Sequence, residues 1–105
     1  ESYQQSNKRA IVYARMQLHV SFGKAVYLVG NSEETGKWDV SKAYRLTWTS
    51  VRGIPSLGDI WRGSFTIPAE THLEYKYAVG RYDDPHNDST LWESGSNRHL
   101  LIRTL

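Results

Sequence analysis

From Ala10 onward apolar and polar residues alternate along the chain. Ala14, Met16, Leu18 and Val20 fall on one face of an extended segment, and Arg15, Gln17, His19 and Ser21 on the other, which predicts a half-buried β-strand. After Gly23, the run Ala25 to Val29, ended by Gly30 and Asn31, predicts a second strand. It has Val26 and Leu28 on one face and Tyr27 on the opposite, outward one. The stretch Asn31 to Ser41 has no periodicity and carries a single large apolar residue, Trp38. Tyr44 to Trp48 predicts a short third strand, and the glycines and proline of Val51 to Gly58 predict a loop. A fourth strand starts near Ile60, sets Trp61, Phe65 and Ile67 on one face with Gly63, and closes at Pro68, which cannot donate to a ladder. The clearest alternation follows: Leu73, Tyr75, Tyr77 and Val79 against Glu74, Lys76, Ala78 and Gly80, which directs Lys76 away from the core. Asp83 to Thr90 is polar and turn-rich, Leu91 to Glu93 can pair briefly, and Arg98 to Thr104 predicts a last strand with Leu100 and Ile102 inward.

No segment has sustained helical spacing. About seven short strands without intervening helices predict an all-β fold, an antiparallel sandwich or a small barrel. The 105 residues and their 39% hydrophobic content suit one core. The polar residues 1–9, Glu1 to Arg9, read as a linker or a cut end, and residues 10–105 as the module, a piece of a longer protein.

Composition narrows the chemistry. With no cysteine, a disulfide framework, a thiolate nucleophile and a cysteine-ligated zinc site are excluded. The net charge of +2 is spread along the chain without a run of four like charges, a poor footprint for nucleic acid. No apolar stretch approaches the ~20 residues that span a bilayer. His19, His72, His86 and His99 fall in four different segments, none at the short spacing of a local metal-binding pair. Asp83 and Asp84 sit in a turn beside Pro85, where aspartate commonly bonds nearby backbone. No nucleophile elbow and no phosphate loop is present. The sequence therefore predicts no catalytic residue, no metal and no cofactor.

The informative residues are Trp38, in Gly36-Lys37-Trp38-Asp39, and Trp92, in Leu91-Trp92-Glu93-Ser94. Both are large indoles in polar surroundings outside the strong core strands, and a flat aromatic face is a platform for the C–H face of a sugar. Around them run Val26-Tyr27-Leu28-Val29-Gly30, Thr35-Gly36-Lys37-Trp38, Trp61, Pro68, Glu74-Tyr75-Lys76-Tyr77, Trp92-Glu93 and Asn97-Arg98, in that order. This succession resembles carbohydrate-binding module family 20, the starch-binding domains, from Val20 to Ile102.

The resemblance implies an immunoglobulin-like antiparallel β-sandwich without catalysis that binds α-1,4-linked glucans of starch or glycogen at two sites. At the first, Trp38 and Trp92 would stack on glucose, Lys76 and Asn97 would hydrogen-bond its hydroxyls, and Glu74 and Glu93 would contribute. The second would draw on Tyr27, Trp61 and Trp48. Trp61 shares a face with Phe65 and Ile67, so a core role stays open for it, and Trp48 stands where the family's second tyrosine is missing. The expected partner is an α-glucan, with neither nucleic acid nor membrane, and the module is expected to be a monomer covalently linked to other domains. A protein-interaction sandwich that has lost the sugar site and a single-stranded nucleic-acid-binding barrel remain as alternatives.

Overall fold

The computed structural model describes residues 8–50, 59–86 and 89–103. Eight strands follow in chain order: β1 (Arg9–Gln17), β2 (Lys24–Gly30), β3 (Tyr44–Arg45), β4 (Thr47–Ser50), β5 (Asp59–Pro68), β6 (Thr71–Arg81), β7 (Leu91–Trp92) and β8 (Arg98–Ile102). All pair antiparallel. One sheet has the order β1-β5-β4; the other has β3-β2-β6-β7, with β8 also on β6. β6 is the axis of the larger sheet. One flank meets β2, and the other meets β8 along Thr71–Tyr75 and then β7 at Ala78 and Val79.

The sheets close on each other as a β-sandwich because the predicted apolar faces meet. Ala14 and Trp61 of the smaller sheet share a buried cluster with Val26, Leu28 and Tyr77 of the larger. A second cluster joins Val12 and Ile67 to Leu73 and Ile102. Arg9, expected in the linker, belongs to β1: it pairs with Pro68, and its guanidinium reaches Glu34 at 2.9 Å. The segment read as one strand from Tyr44 to Trp48 is divided between the sheets. Leu46, 2% exposed, still donates its N–H to Val26 in the larger sheet, and from Thr47 the chain pairs with β5 in the smaller. The loop expected over Val51 to Gly58 lies outside the described residues. Leu100 faces the core side opposite Leu73, but β8 is short and marginal, so Leu100 stays exposed.

One expectation is overturned. Tyr27 sits on the outer face of the larger sheet, opposite Ala78, as the alternation requires, yet it is only 3% exposed. The chain leaving β6 folds back over this face. A Cβ on Gly80 would lie 3.1 Å from the Pro85 carbonyl oxygen, a tight contact that glycine avoids. The Tyr27 hydroxyl donates to the Arg81 carbonyl at 3.0 Å, and burial raises its pKa above the ordinary phenol value. Tyr27 is a core residue and offers no surface to a ligand.

Candidate functional site

Trp38 is presented by a backbone that is locked on both sides. Ser32 caps a 3-10 turn, Glu33–Thr35, through a reciprocal pair of bonds with Thr35, which is fully buried. Asp39 caps the next, Val40–Lys42, accepting from the Ser41 N–H at 3.0 Å and from its hydroxyl at 2.6 Å. These two bonds hold the Asp39 carboxyl below its usual pKa. Between the turns Gly36, Lys37 and Trp38 have φ of +87°, +50° and +67°, a run that is unfavourable for the two side-chain-bearing residues. Backbone bonds hold it: Lys37 N–H to Ser32 at 3.0 Å, and Trp38 N–H to Gly30, the last residue of β2, at 2.8 Å. The indole, 38% exposed, is thus fixed beside the end of β2.

Trp92 stands across β6, opposite Ala78 and on the outer face that also carries Lys76; it is 44% exposed. Its loop is held by polar contacts. The Lys76 ammonium donates to the carbonyl oxygens of Glu93, at 2.9 Å, and of Gly95. The Glu93 carboxylate takes a two-pronged ion pair from Arg98, at 2.7 and 2.9 Å, and accepts from the Tyr77 N–H at 3.3 Å. The Arg98 hydrogen bonds are the main reason that the Glu93 carboxyl lies below its ordinary pKa. Asn97, half-buried, lies on this loop between Gly95 and Arg98.

A second aromatic surface lies at the other end of β2, where it enters from the turn after β1. A hollow of about 620 Å³ is lined by Phe22, Trp48, Trp61 and Tyr82, with His19 and Asp59 paired at 3.0 Å on its rim. Phe22 is fully exposed and Trp48 is 50% exposed. Trp61 is 5% exposed and donates its indole N–H to the Leu18 carbonyl at 3.1 Å, so it is core and floor together. The Arg45 guanidinium lies 3.9 Å over the Tyr82 ring and backs it from the side of β3.

With this geometry in place, similarity to known proteins decides the family. The family model described as starch binding domain matches residues 9–104. The chain belongs to that family. Among solved structures, this starch-binding domain superposes on the family 20 module of a maltotetraose-forming amylase from Pseudomonas saccharophila STB07 with a TM-score of 0.67 and 31% identity, over 89% of this chain and 90% of that one. A glucoamylase from Hypocrea jecorina shares the fold, with a TM-score of 0.76 at 24% identity over 95% of this chain and 16% of its own. An α-amylase of Streptomyces violaceus is 36% identical over 76% of this chain and 12% of its own length. A cyclomaltodextrin glucanotransferase of Bacillus sp. (strain 1-1) is 35% identical over 72% of this chain and 10% of its own. The chain thus spans roughly a tenth of the length of these curated relatives. The domain is a non-catalytic module that binds starch.

Within the starch-binding domain, Lys76 and Trp92 share the outer face of β6, Asn97 lies on the loop that Lys76 holds, and Trp38 is anchored through its backbone at the end of β2, the neighbour of β6. Of the two carboxylates, Glu93 is ion-paired with Arg98, and Glu74 faces His99 at 3.8 Å. Of the three residues expected at a second site, Trp48 and Trp61 line the hollow and Tyr27 does not. Phe22 and Tyr82 were not singled out from sequence. Phe22 carries the same signal as Trp38 and Trp92, a large aromatic in a polar turn beside a glycine.

Proposed function

We propose that the domain holds an α-1,4-glucan chain chiefly across β6, with the Trp38 and Trp92 indoles as stacking platforms, and tethers the rest of a longer protein to the polysaccharide. The supporting observation is the presentation of two half-exposed indoles by locked loops on either side of one strand. An α-1,4-linked chain curves, so indoles held at an angle can each meet a successive glucose, whereas a flat ribbon would want coplanar rings. Burying roughly 60 Å² of apolar sugar face per indole contributes about 1.5 kcal/mol. Two such contacts and a few solvent-competed hydrogen bonds, less the ordering costs, give an affinity on the order of micromolar to millimolar. Many neighbouring chains on a granule compensate through effective concentration.

Lys76 acts first on the loop and then on the glucan. Two carbonyls take two of its donors, which leaves one to offer to a glucose hydroxyl. The hollow lined by Phe22, Trp48 and Tyr82 is a second glucan site, favoured by its concave apolar form. Nucleic acid is not a partner in this reading, because the cations beside the β6 indoles are engaged internally: Lys76 by carbonyls, Arg98 by Glu93 and Lys37 by Glu33. Among the described residues no helix is long and apolar enough to cross a membrane. The domain acts as a monomer.

Calorimetric titration of a soluble cyclic α-glucan into wild type and Trp92→Ala tests the reading. Loss of roughly 1.5 kcal/mol, about tenfold or more in affinity, is expected from a variant that melts like wild type. A folded Trp92→Ala domain with wild-type affinity overturns the assignment.

A further inference from the structure

The outer face of the smaller sheet, on the side of the sandwich away from β6, sets two arginines against each other. Arg15 on β1 stands directly opposite Arg62 on β5, and Arg62 stands opposite Thr47 on β4, so two guanidiniums and a hydroxyl form one row across the three strands. All three residues are exposed. Directly opposed side chains leave their Cβ atoms about 4.5–5.5 Å apart, and like charges so placed destabilise a sheet. Nothing on the protein offsets that cost. Among the described residues neither guanidinium has a hydrogen-bond or ion-pair partner, and no acidic residue stands on the outer face of β1, β5 or β4. Arg9, at the far end of the same face, is already paired with Glu34 at 2.9 Å. In the row next to the arginines Tyr13 faces Ser64, and Tyr13 is 79% exposed, more than either indole at β6.

We propose that this face is a further carbohydrate site, selective for a glucan chain that carries a phosphomonoester: Arg15 and Arg62 take the phosphate, and Tyr13 receives the glucose that bears it. The proposal rests on the glucan-binding reading above for the nature of the polymer, and on the arginine pair for the anion. A phosphomonoester carries about −1.5 to −2 charges at neutral pH and three acceptor oxygens. Two guanidiniums match it in both charge and donors, and arginine is the cation whose planar fork suits phosphate. A carboxylate, with a single charge, would leave one of the two arginines uncompensated. Tyr13 lies two residues from Arg15 along β1, about 7 Å, so a sugar stacked on the ring holds its phosphate within reach of both long side chains. Single-stranded nucleic acid, with a phosphate at every nucleotide, is held by a track of cations. Here one unpaired couple stands alone, because Arg9 is taken by Glu34, and an isolated couple suits a polymer whose phosphates are sparse.

The experiment compares maltoheptaose bearing one 6-phosphate with its unphosphorylated parent, by calorimetry in a phosphate-free buffer, on the wild-type chain and on Arg15→Gln, Arg62→Gln and Trp92→Ala. The wild type should prefer the phosphorylated sugar by about tenfold at low salt, and the preference should fade as salt is added. Either arginine variant should lose most of the preference, keep the affinity for the parent, and melt no lower than wild type, since removing one charge relieves the opposed pair. Trp92→Ala should weaken the parent and leave the phosphorylated sugar bound. In NMR titrations of the wild type, a readout that needs no variant to fold, shifts at Tyr13, Arg15 and Arg62 should appear with the phosphorylated sugar and not with the parent. Equal affinity for the two sugars, or phosphate-dependent shifts centred on other residues, overturns the proposal. So does an oligothymidylate or a phosphoserine peptide that shifts the same residues and binds as tightly as the phosphorylated sugar. A parent sugar that fails to bind, beside a phosphorylated one that shifts Tyr13, Arg15 and Arg62, supports this site and strikes the reading of β6 instead.

Discussion

The two aromatic surfaces of the domain are built in opposite ways. Across β6 the indoles stand on a turn and at the end of the two-residue strand β7, and polar bonds hold both: the caps of Ser32 and Asp39, the Lys76 grip on two carbonyls, and the Arg98–Glu93 pair. At the hollow the floor is a core residue, Trp61, and the rim is apolar apart from His19, hydrogen-bonded to Asp59. The first surface is adjustable without touching the core, because its platforms lie outside the buried clusters. The second shares its floor with the sandwich, so changes there exchange binding for stability. Placing an aromatic on a polar scaffold separates affinity from folding; placing it on the core couples them.

The sharpest break in this contrast is Trp61→Ala. Truncating a buried indole leaves a cavity, and unfolding in urea should show a loss of about 3–5 kcal/mol, with the hollow lost as well. An unchanged urea midpoint would remove Trp61 from the core and dissolve the contrast.

Phe22→Ala tests the rim separately from the floor. Its side chain is fully exposed, so the melting temperature should hold within a degree or two while binding at the hollow weakens by several-fold, less than the roughly tenfold expected for Trp92→Ala. Titration in a Trp92→Ala background isolates this contribution. Equal affinities with and without Phe22 there would leave the hollow without a glucan.

Tyr27→Phe distinguishes a buried hydroxyl from a sugar-binding one. Loss of the bond to the Arg81 carbonyl leaves that acceptor in search of a partner, and stability should fall by about 1 kcal/mol. Glucan affinity should not move. A fall in affinity at unchanged stability would return Tyr27 to the binding surface.

The smallest effect concerns Glu93. Its folded pKa is depressed, chiefly by the Arg98 hydrogen bonds, so the stabilisation is present above the unfolded glutamate value of about 4.3 and is lost as pH falls through the lower folded value. The ion pair is partly solvent-exposed, and screening keeps its worth small. Thermal melts of wild type and Glu93→Gln should differ slightly at pH 6, and the difference should shrink as the pH falls below about 4. A gap that does not change with pH would assign the effect to packing instead of charge.

The strands themselves were legible because alternation is a local property. β1, β5 and β6 follow from residues two apart sharing a face, and Lys76 followed from the same rule. Trp38 and Trp92 were legible as indoles without a local apolar context. The burial of Tyr27 was also written locally: Ala25 to Val29 is an unbroken apolar run, the pattern of a strand covered on both faces, and alternation alone misses it.

What only the tertiary structure decided are relations between segments distant in the chain. Alternation assigns a side to each residue but does not say what lies over that side, so the fold-back of Pro85 and Thr90 onto Gly80 had no local sign. The switch between sheets at Leu46 depends on two partners, β2 and β5, that compete for one short segment. The meeting of Arg15 with Arg62 depends on the register of β1 against β5; a slip of one residue would send Arg15 to the other face. The pairing of Glu93 with Arg98 likewise depends on the fold, which brings the guanidinium within reach of the carboxylate beside Trp92.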